Sequence, residues 1–476
     1  MRIYFDSNIF RKFKPTSKQF RQDVTDAVEA LAPFFIFPFS EAHLSDLSTS
    51  TEAYRKEDLE LMERYVHDNF IHRDHIKKEI KYSLVVPTEA YNSYDFTASE
   101  QPQQSMDTLL EDLLDFEGGE ALQAAFLQLM ELPVIPQNDF DTGTLPDSVR
   151  PIAENFKNVR SMKDAMQAIG RMGNFINDKS FVSFNRKLFE GYVNRDDYSF
   201  DKWSFEFGER MKDTTLGKSF TELVDQITTE ADKSDPYQAM LNTYIALETF
   251  GVTQEHLGKK QQLKKNSFND LNKDAAHVFF ASKSDYFVSD DIGVQQKAFI
   301  TYKLMNIDTR VLSVYDFIER SKLLLENEGD HHWFIDRLST IAKTGTVLHQ
   351  SEDGAVTLHK AAPPLLNYFN RCQINNYPEG GSLQLFRHCR KKTAVLFSEM
   401  ALIIEKITRL FGSPVVLPML DYSKALSQHE TGQPIRVWNT GATMLTLQLE
   451  KDHRGMAFLV LSLIPISSKK VQTTSR

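Results

Sequence analysis

Acidic residues in two stretches far apart in this chain stand where a strand ends or a helix begins. A single fold that aims them at one point has to pair those two stretches. In the first, Ile3–Phe5 runs into Asp6, Ser7 and Asn8, and Pro38, Ser40, Glu41, His43, Asp46 and Leu47 follow. The second carries Asp270, Asp274 and His277, then Asp285, Val288, Ser289, Asp290 and Asp291. Clustered carboxylates do not all stay ionised without a counter-charge. A hard divalent cation is the usual one, so the pattern points to Mg²⁺ or Mn²⁺ on oxygen ligands. Taken singly, each acid also reads as a helix cap or a surface charge.

Local patterning supports an α/β alternation around both stretches. Ile3–Phe5 reads as a short buried strand, 20–31 as a helix, and 34–39 as a second strand. Ser40 is a good N-cap for a helix through Asp46. A polar run over 87–104 reads as a linker. The chain from 106 to about 255 reads as mostly helical, with a break at Ser234–Pro236. A helix at Asp274, a strand at Tyr286–Val288, a helix over 295–304, a strand at 310–313 and a helix over 315–325 restore the alternation. Beyond residue 326 the pattern changes to hairpins turning near Gly354 and Gly455 and an amphipathic helix ending at Phe411. This divides the chain into 1–88 and 255–326 as one α/β unit, 89–254 as an insertion, and 327–476 as a C-terminal α+β domain.

Charge is unevenly spread. The net charge is −10, yet no Lys or Arg falls between Lys81 and Arg150, where thirteen Asp and Glu residues lie. Such a run reads as a solvated helical insertion or as an acidic shield that repels phosphate or docks a basic partner. Cys372 and Cys389 are the only cysteines, which argues against a disulfide framework and fits a reducing cytoplasm. No leader is legible, and the longest apolar run, near Met456–Ile466, is too short to span a bilayer. No Cys accompanies the histidines at zinc-ligand spacing. His43 and His277 read as structural histidines, with a ligand role as the alternative.

With those residues in place, the chain resembles the PIN-domain nucleases. Phe5-Asp6-Ser7-Asn8 matches their N-terminal motif. Ser40 precedes the acidic-Leu pair Asp46-Leu47 by six residues, although the family more often has Glu there. Asp46 is thus one methylene shorter, and Glu41 competes as a ligand. Asp274-Ala-Ala-His277 matches the third motif. Val288-Ser289-Asp290-Asp291 matches the fourth, with Asp291 in the family's acidic position and Asp290 beside it. The resemblance covers roughly 1–85 and 255–325. It implies a flavodoxin-like parallel sheet flanked by helices, with acids at strand carboxyl ends.

It also implies a metal-dependent endonuclease, with RNA favoured over DNA. Asp6, Asp46, Asp274 and Asp291 would be catalytic and would hold the Mg²⁺ or Mn²⁺, joined by Glu41 or Asp290. Asn8, Ser289 and Asp270 would support them. Arg11, Lys12, Lys14, Lys259, Lys260, Lys264 and Lys265 flank the site in sequence and are candidates for phosphate contacts. The added regions suggest regulation through a protein partner or a homo-oligomer, as in a toxin or antiviral defence effector. The rival readings are a DNA endonuclease on the same scaffold and a non-catalytic PIN-like scaffold.

Overall fold

The computed structural model describes residues 1–74, 76–96, 218–228, 230–249, 268–377, 380–388, 396–415, 434–452, 455 and 457–466. Elements are numbered along those residues. The run between Lys81 and Arg150, beyond residue 96, lies outside them, as do Lys259, Lys260, Lys264, Lys265 and Cys389. The architecture is mixed α/β, with a three-stranded parallel sheet flanked by helices and a separate antiparallel sheet. None of the described helices is long and apolar enough to cross a membrane.

The parallel sheet joins β1 (Ile3–Phe5), β5 (Tyr286–Val288) and β6 (Arg310–Leu312), in the order β1-β5-β6. Its register sets Ile3 opposite Tyr286, Tyr4 opposite Phe287 and Phe5 opposite Val288. Side chains alternate across a strand, and here the alternation separates two cores. Ile3, Phe5, Tyr286 and Val288 enter one apolar cluster, while Tyr4 and Phe287 enter another. Burial on both faces explains why these strands read as continuous apolar runs. On the first face the Phe5 ring meets those of Phe13, Phe37 and Phe317 with centroids 5.4, 5.2 and 5.4 Å away.

A parallel bridge between Arg2 and Ile36 extends the sheet beyond β1. A few residues further on, β2 (Phe39–Ser40) pairs in parallel with β3 (Asn69–Asp74), which pairs antiparallel with β4 (Glu79–Leu84). The chain therefore leaves β1 toward the Ile36 side, and it leaves β5 toward β6 on the other side. Such a reversal opens a crevice at the carboxyl ends of the two strands.

Helices α1 (Ser7–Phe13), α2 (Gln22–Leu31), α3 (Glu41–Ser48), α4 (Glu52–Val66) and α5 (Pro87–Ser93) come from the first segment. The polar run expected to be a linker thus begins as a helix. Pro87 sits at its start, where a missing N–H costs nothing, and Ala90 is buried in the core with Tyr91, Tyr94 and Phe96 packed against it. After residue 217 come α6 (Phe220–Ile227), α7 (Glu230–Lys233), α8 (Pro236–Thr249), α9 (Phe268–Ala281), α10 (Ile292–Leu304) and α11 (Val314–Glu326). Met240 and Tyr244 of α8 are buried in the same cluster as Val278 of α9 and Ala298 of α10. This helix, assigned from sequence to the insertion, shares the core of the α/β unit.

The rest of the chain forms α12 (His331–Thr344), β7 (Val347–Gln350), β8 (Val356–Leu365), β9 (Phe369–Tyr377), β10 (Gly380–Phe386), α13 (Leu396–Phe411), β11 (Pro434–Asn439), β12 (Thr443–Lys451) and β13 (Ala457–Pro465). These strands make an antiparallel sheet ordered β11-β12-β13-β10-β9-β8-β7. Gly354 and Gly455 turn at φ +67° and +77°, a region glycine enters without steric cost. Buried residues of α12 and α13, including Phe334, Ile403 and Ile407, share one core with Trp438, Leu447 and Leu461 of the strands.

A buried ionic cluster joins this sheet to the parallel one. Glu399 of α13 pairs with Arg2 at 3.3 Å and with Arg387 at 3.0 Å, and Arg387 reaches Asp285 at 2.5 Å. Asp285 also accepts from the Arg2 backbone N–H at 2.8 Å. Removing one partner of such a buried set strands the others in a poor solvent. Glu399→Ala is expected to cost about 3–5 kcal/mol by urea unfolding, and a loss below about 1 kcal/mol would show that water compensates the two guanidinium groups.

Candidate functional site

Phe5 and Val288 end paired strands, so the residues after them meet at one edge. Asp6 follows Phe5 at the N-cap position of α1, but its carboxylate makes no capping bond. It accepts a hydrogen bond from Ser289 Oγ at 2.7 Å instead. Ser289 Oγ in turn accepts from the Asp291 backbone N–H at 3.2 Å. Ser289 is itself held by its own N–H on Leu312 O and by the Gln295 amide on its carbonyl. Asp291 caps α10 through Val294 N at 3.1 Å. The local reading of Asp291 as a helix cap and its place beside Asp6 therefore hold together.

Asp274 reaches the same region from α9. Burial pushes its carboxyl up to about 8; Lys297 opposes this, and the charges of Asp6 and Asp291 add to it. Burial also raises Asp6, with His277 and Ser289 opposing and Asp46 and Asp291 adding. The charge of Asp291 thus acts on both Asp6 and Asp274, and that of Asp6 acts on Asp274 as well. Lys297 forms a buried ion pair with Glu248 of α8 and sits 4.7 Å from the Tyr244 ring centroid.

Asp46 is the neighbour whose charge is matched. Its Oδ2 lies 2.9 Å from His277 Nε2, and its Oδ1 lies 3.9 Å from Lys273 Nζ. Burial opposes its ionisation, but His277, Ser7 and Lys273 outweigh that and hold its carboxyl well below the usual range. His277 links the acid to the strand: its Nδ1 lies 2.9 Å from the Tyr4 hydroxyl, which is 2.6 Å from Ser40 Oγ. His43 completes the network. Its Nδ1 accepts from Ser40 N–H at 3.0 Å, and its Nε2 donates to Phe5 O at 2.8 Å. Those two bonds fix the neutral tautomer. Spacing alone allows either a structural or a ligand role for both histidines; in the structure His277 grips a candidate acid, a partner that spacing does not reveal.

The remaining candidates fall elsewhere. Glu41 is buried, with Oε1 accepting from Arg73 N–H at 3.1 Å, and burial pushes its carboxyl to about 7. Asp290 is exposed and forms an ion pair with Lys12 at 2.7 Å. Lys14 binds Glu57 at 2.8 Å and Asp58 at 2.7 Å. Lys12 and Lys14, expected to face phosphate, are thus buried and neutralised by acids of their own fold. Arg11 is exposed. Asp270 is exposed in the first turn of α9. No side-chain hydrogen bond ties Asn8 to the acids among the described residues; its neighbour Ser7 lies 3.2 Å from His277 Nε2. Sequence reading passed over Tyr4, Glu248, Lys297 and Tyr244, which carry no motif of their own.

Among the described residues no three His, Cys, Asp or Glu side chains already converge closely enough to hold a metal ion. In chemistry the donors nevertheless suit a hard cation: they are oxygens, and their mutual repulsion asks for positive charge. No family model, no curated protein and no solved structure matches this chain.

The network has a pH signature. Burial and the charge of His277 push His43 down to about 3, from 6.5 for an ordinary imidazole. The unfolded chain therefore takes up this proton first. The stability involved is intact above about pH 6.5 and is lost as pH falls toward 3. His277, raised because Asp46 outweighs its burial, has the opposite sign, and its support is already complete below pH 6.5. Compared with His43→Gln, the native chain should lose about 1.4 kcal/mol per pH unit below about pH 6. Urea unfolding at about pH 6.5 and pH 4.5 checks this, and a pH-independent difference would contradict it.

Proposed function

We propose that this chain is a metal-dependent, PIN-like endonuclease that hydrolyses phosphodiester bonds, with RNA as the favoured polymer. The observation that carries the reading is the bridge from Asp6 through Ser289 to Asp291. It sets two acids at the carboxyl ends of adjacent parallel strands, where such sheets place their chemistry, and Asp274 shares their field. In this reading Asp6, Asp274 and Asp291 hold Mg²⁺ or Mn²⁺. When bound, the ion acidifies a water, orients the scissile phosphate and stabilises charge on the reacting oxygens. Ser289 fixes the Asp6 carboxylate, so it acts through that acid.

Asp46 has a different part here from the one its motif position implies. Tied to His277 and Lys273, it raises the imidazole's proton affinity and keeps the Tyr4–Ser40 end of the network aligned. Within this scheme it positions α9, and hence Asp274, against β1. The same sequestration, with the lack of a converged ligand set among the described residues, is what favours the second reading, a PIN-like scaffold that binds partners without cleaving. RNA is preferred on the family resemblance alone, and a DNA substrate stands as the alternative outcome.

Purified protein incubated with mixed RNA and DNA in Mn²⁺, Mg²⁺ or EDTA tests the proposal. Cleavage should require metal and should vanish in Asp6→Asn and Asp291→Asn. Ser289→Ala should lose roughly 10–100-fold, the usual effect of removing a group that orients a ligand. Intact substrates in every lane, with no Mn²⁺ uptake by calorimetry, would leave the scaffold reading standing.

A further inference from the structure

Two tyrosines stand in solvent near the carboxyl edge of the parallel sheet: Tyr315 is 71% exposed and Tyr54 64%. Tyr315 lies in the first turn of α11, which follows β6 directly. The β5–β6 register ends at Val288 and Leu312, and Ser289 N–H donates to Leu312 O at 3.2 Å. That turn therefore rises from the same edge as Asp6 and Asp291. The Arg21 guanidinium, forked onto Asp23 at 3.1 and 2.7 Å, lies over the Tyr315 ring, 4.8 Å from its centroid. Arg21 N–H donates to Lys12 O at 3.0 Å, and the Lys12 ammonium pairs with Asp290, the neighbour of Asp291. At the other end of the loop that joins α1 to α2, Lys14 Nζ lies 5.6 Å from the Tyr54 ring centroid.

One exposed aromatic ring needs no explanation. Here two are each laid against a cation, one at each end of a basic loop. From Ser7 to Gln22 the chain carries Arg11, Lys12, Lys14, Lys18 and Arg21 and no Asp or Glu. Acids from other elements answer Lys12 and Lys14, while Arg11 and Lys18 are exposed. Flat rings alternating with cations match a single-stranded nucleic acid, whose bases alternate with phosphates and offer their π-faces. A duplex hides those faces. We propose that Tyr315 and Tyr54 are stacking platforms for two bases of a single-stranded RNA, with Arg11 and Lys18 on its phosphates, and that the strand crosses the α1–α2 loop toward Asp6 and Asp291. The choice of RNA rests on the nuclease reading, whereas the stacking itself needs no metal ion. Arg21, fixed by Asp23, holds the Tyr315 ring in place before a base arrives, which lowers the ordering cost of binding.

The test measures binding of a short aminopurine-labelled single-stranded RNA, in EDTA, to the full chain and to Tyr315→Ala, Tyr54→Ala and Tyr315→Phe. Each alanine variant is expected to bind roughly tenfold more weakly, the loss of one stacked base. The salt dependence of binding is expected to stay the same, because no phosphate contact is removed. Tyr315→Phe keeps the ring, so it should bind and quench the aminopurine as the native chain does. Both side chains are exposed, so the urea midpoint should not move in any variant. Native affinity in either alanine variant, an equal loss on duplex RNA, or a lowered urea midpoint overturns the inference. A native chain that binds no RNA in EDTA overturns it too, and metal-dependent cleavage would then leave the nuclease reading standing. Tyrosine-dependent binding without cleavage in Mn²⁺ or Mg²⁺ means the reverse: the platform holds and the nuclease reading falls.

Discussion

The parallel pairing of β1 with β5 is the constraint on which the remaining structure depends. It joins Ile3–Phe5 to Tyr286–Val288, so the closing entropy of a very long loop is met before any contact returns it. Three residues per strand supply few backbone hydrogen bonds. The return comes from burying both faces: Phe5 among Phe13, Phe37 and Phe317 on one side, and Tyr4 beside Phe287 on the other. A slip of one residue would exchange those faces and would carry Asp6 away from Ser289. Packing therefore sets the register, and the register sets the site.

The fold treats its buried charges in two ways. Arg2, Glu399, Arg387 and Asp285 bring two cations to two anions, and Lys406 of α13 meets Glu328 at 2.5 Å. Matched sets of that kind join α13 and the antiparallel sheet to the β1–β5 edge, and losing one member is what makes them costly. At the carboxyl end of the same strands, Asp46 is matched by His277 and Lys273, and Glu248 by Lys297. Asp6 and Asp274 are instead raised by burial, with Asp291 adding to both. A structure optimised only for stability would not place carboxylates so, and perturbed acids in a crevice are a physical pointer to function.

What was legible in the sequence follows from the range of the interactions involved. The strand Ile3–Phe5, the Ser40 cap and the strand Tyr286–Val288 are local, set by apolar runs and capping chemistry, and they stand where patterning puts them. The hairpin of β3 and β4 was missed because its Lys- and His-rich strands lack clean alternation. The helix α5 was read as a linker because its apolar residues are few, although Ala90 and Tyr91 reach the core. For charged residues the limit is sharper. Sequence shows that Lys12 and Lys14 carry charge near the motif; only the fold shows Asp290, Glu57 and Asp58 answering it. Spacing likewise places His277 one turn after Asp274 on α9, but its hydrogen bond to Asp46 joins two helices.

Helix α8 shows why the boundary between domain and insertion is hard to draw from composition. Its residues carry no motif, so they group naturally with what precedes them. Tertiary packing assigns them otherwise: Arg73 on β3 and Lys297 on α10 each hold one end through a buried ion pair. A helix anchored at both ends to elements of the α/β unit cannot leave it without exposing two unmatched charges and the apolar surface of Met240 and Tyr244.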